Sequence, residues 1–126
     1  MSAGTVNITI EQGATFQYVL TWKEYDSTNP PTYEGDPIDL SGYTARAQIR
    51  KRLKSEEVMI ELTTENGRIT LGGALGTISL FIDAEDTEAL NFNSGVWDLE
   101  MEVSGIVKRL VQGTVTLSKE VTRPVV

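Results

Sequence analysis

The sequence predicts an all-β protein, an antiparallel sandwich of about seven or eight short strands. Apolar residues occupy alternate positions in most segments, which is the pattern of strands with one buried face. Glycine, asparagine and proline separate these segments at regular intervals. Only one short stretch departs from the alternation. At 126 residues the chain has the length of one domain, so we expect a single β-sandwich domain over residues 1–126.

Two alternating segments open the chain. Val6, Ile8 and Ile10 alternate with polar residues, and apolar side chains recur at every second position of residues 16–22. Gln12-Gly13 lies between them, and glycine permits a turn there. We predict that the two segments form the first pair of strands.

Residues 23–42 form a long loop in this interpretation. The segment holds three of the four prolines, at positions 30, 31 and 37, and shows no apolar periodicity. Proline lacks an amide donor, so a central strand cannot run through it. A connection of about 20 residues is long enough to indicate a role. It is either a variable surface insertion or a partner contact.

The middle of the chain returns to alternation. Residues 43–50 predict a strand with small alanines inside and arginines outside, and residues 58–62 predict the next strand. Asn66-Gly67 predicts a tight turn before residues 69–71. Residues 78–82 then form the following strand.

Residues 84–90 are the stretch that does not alternate, and their spacing fits one short helical turn capped by Asp83 or Asp86. Four carboxylates lie close together here, which raises the possibility of a calcium loop. The spacing lacks the alternate ligand positions, the central glycine and the distal glutamate of such a loop. Acidic residues at a helix start are the simpler explanation.

The clearest β signal is the last hairpin. Residues 97–103 and 106–112 flank the turn dipeptide Ser104-Gly105, and Gly113 predicts a bulge. Apolar residues of both parities in residues 107–110 predict a strand covered on both faces, by the sandwich on one side and by a partner on the other. The tail at residues 120–126 is expected to leave the sheet.

Composition excludes much chemistry. The chain has no cysteine and no histidine, so it has no disulfide, thiolate nucleophile, imidazole base or histidine-held metal. Glu100 and Glu102 could converge on one strand face, but no loop set builds the concave site that paired carboxylates need. We therefore expect no enzyme, no catalytic or metal site and no cofactor.

The net charge of the chain limits the classes of partner that it can bind. A net charge of −7 repels phosphate, which disfavours nucleic acid and anionic membranes as partners. No segment is long and apolar enough to span a membrane. The basic residues cluster at Arg46, Arg50, Lys51, Arg52 and Lys54. No aromatic residue is interleaved with them, so a solvated hairpin tip is favoured over a nucleic-acid site.

Four segments carry a family resemblance: PIDLSGYTARAQIR at 37–50, ELTTENGRITL at 61–71, GTISLFIDAEDTEAL at 76–90 and VWDLEMEVSGIVKRLVQGTVTLSKEVTR at 96–123. Together they resemble small virion-associated structural proteins of tailed bacteriophages and prophages. The order of a proline loop, an Asp-Leu-Ser-Gly step and a final Asp-Leu-Glu hairpin is similar to the N-terminal domain of phage upper baseplate proteins.

The resemblance implies an immunoglobulin-like sandwich and a non-enzymatic structural protein of the virion, made in the host cytoplasm. It would be an attachment or adaptor module at the tail, neck or baseplate, without the helical shaft of the baseplate proteins. The alternatives are a capsid decoration protein and a non-virion phage accessory or carbohydrate-binding module. Other virion proteins are the expected partners, with several copies on the particle and a possible homo-oligomer. From expected exposure, the candidate interface residues are Tyr25, Tyr33, Arg50, Lys51, Arg52 and Lys54.

Overall fold

A computed structural model describes residues 3–123, in which strands predominate and the one α-helix has five residues. The strands are Gly4–Thr5 (β1), Ile8–Glu11 (β2), Phe16–Thr21 (β3), Lys23–Tyr25 (β4), Glu34–Pro37 (β5), Thr44–Arg50 (β6), Ile60–Thr63 (β7), Ile69–Leu71 (β8), Thr77–Ile82 (β9), Ser94–Val103 (β10) and Ile106–Ser118 (β11). The helix is Ala84–Glu88 (α1), and Gly73–Leu75 is a 3₁₀ turn.

Two sheets form the sandwich. The six-stranded sheet has the order β1-β11-β10-β6-β7, and β2 also pairs with β11. Both β1 and β2 run parallel to β11, whereas the other pairs in this sheet are antiparallel. The three-stranded sheet has the order β3-β9-β8, and β4 and β5 form a separate two-stranded sheet. The prediction of an all-β sandwich is confirmed.

The core lies between the two sheets and explains the alternation in the sequence. Along β10 the side chains of Trp97, Leu99 and Met101 are buried and their neighbours are more exposed. Strand β9 buries Ile78, Leu80 and Ile82 from the opposite sheet in the same way. Successive side chains of a strand point to opposite faces, so one apolar residue in two is enough to fill this layer.

One buried indole connects the N-terminal strands to the core. Trp97 lies opposite Gly113 in the β10–β11 pair, and its Nε1 donates a hydrogen bond of 2.8 Å to the carbonyl oxygen of Val6. A Cβ atom built on Gly113 would lie 2.0 Å from the same oxygen. Glycine at this position therefore lets the segment between β1 and β2 approach β11 closely.

The predicted first pair of strands is wrong. Strand β2 pairs with β11, β3 pairs with β9, and the two lie in different sheets. The turn between them is held by Thr87, whose Oγ1 accepts from the Gly13 amide and donates to the Ala14 carbonyl. The Gln12 amide also donates to the Ser118 carbonyl, which extends the parallel pairing with β11. The turn thus crosses between sheets and does not close a hairpin.

The Asn66-Gly67 turn also crosses between sheets, since β7 and β8 do not pair with each other. The side chain of Asn66 accepts from the Thr63 amide and donates to the Glu61 carbonyl. An asparagine side chain can replace a backbone partner in this way, so a turn dipeptide does not require a paired strand on each side.

The segment at 23–42 is more regular than its prolines predict. Strands β4 and β5 form a short antiparallel hairpin within it, and Pro37 ends β5. The prediction that no central strand runs here holds, because this pair stands apart from both large sheets. These short strands and the division of the first segment into β1 and β2 raise the strand count above the predicted seven or eight.

Two local predictions meet different outcomes. Helix α1 lies within the predicted residues 84–90, and Asp83 caps it by accepting a hydrogen bond from the Asp86 amide. Residues 3–123 hold no cluster of acidic side chains arranged to bind a metal ion.

The predicted bulge at Gly113 is wrong, because the register of β10 and β11 shifts between Leu99 and Glu100 and leaves Leu110 as the extra residue. After β11 ends at Ser118, residues 119–123 lie outside the sheets, and the rest of the predicted tail lies beyond the described residues.

We predict that Gly113→Ala lowers the free energy of unfolding by about 1–3 kcal/mol, the usual cost of forcing an extra methyl group into a packed site. The new methyl group must displace the Val6 carbonyl and weaken its bond to Trp97. Urea unfolding followed by tryptophan fluorescence measures the change.

Gly4→Ala is the matched control on the facing strand, because its Cβ would lie 3.7 Å from the nearest atom, a Val111 side-chain carbon, which is an ordinary contact. We expect this variant to remain within about 0.5 kcal/mol of the wild type. Equal losses in the two variants would contradict the close approach at Gly113.

Candidate interaction surfaces

Three connections meet at one end of the sandwich, which we call the loop end and define as residues 22–43, 73–76 and 103–107. The register of β6 and β10 pairs Thr44 with Glu102, which places the β10–β11 turn beside the start of β6. The Leu40 amide donates to the Gly73 carbonyl and the Trp22 amide to the Gly76 carbonyl. These hydrogen bonds hold the long loop against the 3₁₀ turn.

The β10–β11 turn gives the loop end an apolar tip. Ile106 is 69% exposed and Val107 is 48% exposed. Ser104 and Gly105 both have positive φ angles, 51° and 79°, which close a two-residue turn between the strands. The tip therefore carries aliphatic side chains in solvent at the end of a regular two-stranded hairpin.

The expectation that residues 107–110 are covered on both faces is only partly met. Val107 is exposed, and Leu110 is half-buried at the bulge. Lys108 lies opposite Met101 and places its ammonium 5.6 Å from the centre of the Trp22 ring. A cation over an indole is electrostatically favourable. Lys108 thus covers this edge of the core, while Ile106 and Val107 after the turn remain exposed within the described residues.

Tyr25 and Tyr33 come together at the loop end. Their rings stack with centroids 5.6 Å apart and an interplanar angle of 22°. Tyr25 is 73% exposed. The hairpin beneath them is held by a hydrogen bond from the Asn29 amide group to the Glu34 carbonyl and by the Lys23–Glu34 ion pair. The two predicted contact residues form one aromatic patch.

The predicted basic cluster lies at the opposite end of β6. That strand has seven residues, which separates its two ends by about 20 Å. Arg50 is half-buried, and its guanidinium donates to the carbonyls of Ser55 and Glu56 and to the Gln48 side chain. It therefore closes the turn on which the rest of the cluster lies.

The other basic residues of the turn point into solvent. Lys51, Arg52 and Lys54 are exposed, and none of them joins an ion pair within residues 3–123. Leu53 lies among them and is almost fully exposed. The candidate residues thus divide into an aromatic patch at the loop end and a basic turn at the other, and they do not form one site.

The outer face of the six-stranded sheet forms an open groove of about 640 Å³. Ion pairs cross its floor, from Arg46 to Glu100 at 3.0 Å and from Arg109 to Asp98 at 3.4 Å. The hydrogen bond and charge of Glu100 raise the pKa of Arg46. The prediction that Glu100 lies on an outward face is met, but its carboxylate is bound to an arginine.

Asp98 is electrostatically costly in this groove. Burial raises the pKa of Asp98 above its ordinary value, and the opposing attraction of Arg109 does not cancel this effect. The charged form of a carboxyl group loses hydration when it is partly enclosed. The charged form of Asp98 is therefore less favourable in the folded protein than in water, although its attraction to Arg109 offsets part of this cost.

Sequence reasoning missed two apolar residues on the opposite face of the sandwich. Val19 and Phe81 lie on the outer face of the three-stranded sheet, where both are exposed. The alternation assigned the inner face of β3 correctly and treated Val19 as an outward residue without significance. The sequence did contain a signal for Val19, because the outward positions of a strand with one solvent-exposed face are usually polar.

No family model matches the chain, and no curated protein is similar to it in sequence. Among solved structures, a chain from a crystal structure of a chicken TCR has a similar fold, with a TM-score of 0.51 and 8% sequence identity. The match covers 94% of this chain and 55% of the TCR chain, so this chain spans about half the length of that protein. The class is therefore an all-β sandwich of the immunoglobulin-like type.

No α-helix within residues 3–123 is long and apolar enough to cross a membrane.

We predict that Asp98→Asn raises the melting temperature at pH 7. A carboxyl group with a higher pKa in the folded protein than in the unfolded chain binds protons more tightly when folded, so its ionisation with rising pH weakens the folded state. The gain should disappear below pH 3.8, the ordinary pKa of the group, where the wild-type carboxyl is already neutral.

Asp39→Asn is the control with the opposite sign. Hydrogen bonds from the Ser41 hydroxyl and amide lower the pKa of Asp39, so its charged form stabilises the folded state at pH 7 and this contribution is lost as the pH falls. Melting curves from pH 3 to pH 7, roughly the range over which aspartates titrate, measure both variants. A loss of stability in Asp98→Asn at pH 7 would show that the Arg109 pair outweighs burial.

Proposed function

We propose that this protein is a non-enzymatic structural component of a bacteriophage virion, an attachment or adaptor module at the tail, neck or baseplate. The four segments that resemble virion proteins support the proposal. In the fold they cover β6, most of β7 with β8, β9 with α1, and most of the β10–β11 hairpin. The resemblance thus draws on strands from both sheets of the domain.

The observation that carries the proposal is the uncovered apolar tip of the longest hairpin. Strands β10 and β11 have 10 and 13 residues, and they present Ile106 and Val107 at the loop end. Large apolar side chains on a rigid element serve as anchors when they enter a pocket on a partner. An adaptor needs a surface of this kind, because exposed apolar groups mark interaction sites.

The aromatic patch of Tyr25 and Tyr33 also favours the loop end as the surface that contacts a partner. Tyrosine combines a large apolar ring with a polar hydroxyl and is enriched in protein interfaces. Tyr25 and Tyr33 are already stacked, so binding would not have to order them, which lowers the entropic cost of association.

The pairing of Glu100 with Arg46 favours a binding role over glycoside hydrolysis. A general acid of that reaction needs a raised pKa and a position beside a second carboxyl group. In this protein the Arg46 guanidinium donates a hydrogen bond directly to the Glu100 carboxylate, which is therefore occupied by a basic partner.

We predict that mass spectrometry of purified virions from the phage or prophage that encodes the protein detects it at several copies per particle. Separate analysis of purified tails and heads then assigns it to one part, and recovery from heads alone would favour the capsid decoration alternative. Presence in infected cells with absence from particles would contradict the proposal and favour a non-virion accessory.

We also predict that the double change Ile106→Ser and Val107→Ser reduces incorporation into particles at least about tenfold, since the loss of two apolar anchors removes more than about 1.4 kcal/mol of binding energy. Leu53→Ser is the matched control, because it removes an exposed aliphatic side chain at the other end of the sandwich. Normal incorporation of the tip variant with loss in Leu53→Ser would place the contact at the basic turn.

A further inference from the structure

The three-stranded sheet differs from the rest of the chain in charge. None of the residues of β3, β8 and β9 is charged, although the protein has 18 acidic and 11 basic residues. The six-stranded sheet carries ion pairs on its outer face. The outer face of the three-stranded sheet instead presents Val19, 60% exposed, and Phe81, 40% exposed.

Strand β3 is also a free edge of this sheet. The Phe81 amide donates to the Arg68 carbonyl, and the Gly72 amide donates to the Thr77 carbonyl, so odd-numbered residues of β9 bond to β8. The Trp22 amide donates to the Gly76 carbonyl, so even-numbered residues join β9 to β3. This alternation is the rule for antiparallel ladders.

The remaining residues of β3 therefore direct their backbone groups outward. They are Gln17, Val19 and Thr21. No other hydrogen bond of residues 3–123 reaches their amides or carbonyls. An edge of this kind is a template for another strand.

Strands β7 and β8, which are also edge strands, are less open than β3. Along β7 the outward amide of Thr63 is capped by Asn66, and the outward carbonyl of Glu61 accepts from Asn66 and Arg68. Strand β8 has only three residues. Strand β3 has six residues and lacks the charge, proline or bulge with which proteins usually block an edge.

We propose that β3 of one molecule pairs in antiparallel orientation with β3 of a second copy, about a two-fold axis at Val19. The two three-stranded sheets then join into one continuous sheet. On its outer face Val19 meets the same residue of the second copy, and Gln17 meets Thr21. On its inner face the half-buried Tyr18 meets Leu20.

The register explains why the strand that pairs with β3 belongs to a second copy of this chain. Each side chain meets one of matching character, apolar with apolar and uncharged polar with uncharged polar, which is the requirement of a two-fold interface. Lys23 falls opposite Thr15, so no like charges meet. None of the residues of β3 is charged, so the strand itself offers no ion pair to a strongly charged partner segment. An open groove of about 340 Å³ beside β3, lined by Thr9 and Gln17 among others, leaves room for the incoming strand.

Sedimentation equilibrium of the purified chain tests the proposal. The wild type is expected to reach the mass of a dimer as its concentration rises. Val19→Lys would place two ammonium groups close together across the axis, and we expect it to raise the dimer dissociation constant by about tenfold or more. Thr70→Lys is the matched control, because Thr70 is exposed on the same outer face but lies on the far edge strand.

A second experiment tests the register in a chain that has no cysteine of its own. Directly paired residues of an antiparallel ladder have Cα atoms about 5.5 Å apart, which is within reach of a disulfide. Under mild oxidation Val19→Cys should give a covalent dimer, and Thr70→Cys should remain a monomer.

A monomeric wild type at every concentration would overturn the proposal. So would a Val19→Lys variant that dimerises as well as the wild type, or equal cross-linking of the two cysteine variants. These results concern the isolated chain, so they stand or fall separately from the presence of the protein in virions.

Discussion

The apolar layer between the two sheets is the constraint on which the rest of the structure depends. The chain has no cysteine, so no disulfide joins the sheets, and apart from the connecting backbone they are held together by packing and hydrogen bonds. Ile10, Leu99 and Val115 from one sheet and Ile78 and Ile82 from the other are fully buried. Complete burial of each such side chain contributes roughly 1.5–3 kcal/mol. The inner face of each sheet must therefore be apolar. The two sheets differ in the residues of their outer faces and in their connections.

The same constraint explains the junction at Trp97. An indole that fills the core must find a partner for its N–H group, since a buried donor without one is costly. The Val6 carbonyl supplies that partner, and Gly113 leaves the space for it to come close. Burial of one large side chain thus positions the N-terminal strands against β11. The loop end presents Ile106, Tyr25 and Tyr33 to solvent, and we propose that other virion proteins bind there.

Alternation in the sequence was sufficient to predict the sandwich, the last hairpin and the short helix, because period-two burial and an aspartate cap are local properties. Strand partners were harder to predict. The turn after β2 has the composition of a hairpin, yet Thr87, more than 70 residues away in sequence, holds it as a crossing between sheets. A contact at that separation leaves no trace in a local pattern.

The candidate interface residues show the same limit of prediction from sequence. The stacking of Tyr25 on Tyr33 needs the pairing of β4 with β5, and the role of Arg50 in closing its own turn depends on side-chain geometry. The exposure of Val19 carries meaning only once β3 is known to be an edge.

Location on the particle tests the central claim most directly. A cryo-electron microscopy map of the virion, at a resolution that separates the two sheets, would show which end of the sandwich contacts its neighbour. We predict that the domain is found at the tail, neck or baseplate with Ile106 and the tyrosine pair against another virion protein. A particle without this domain, or a domain whose loop end faces open solvent in every copy, would contradict the account.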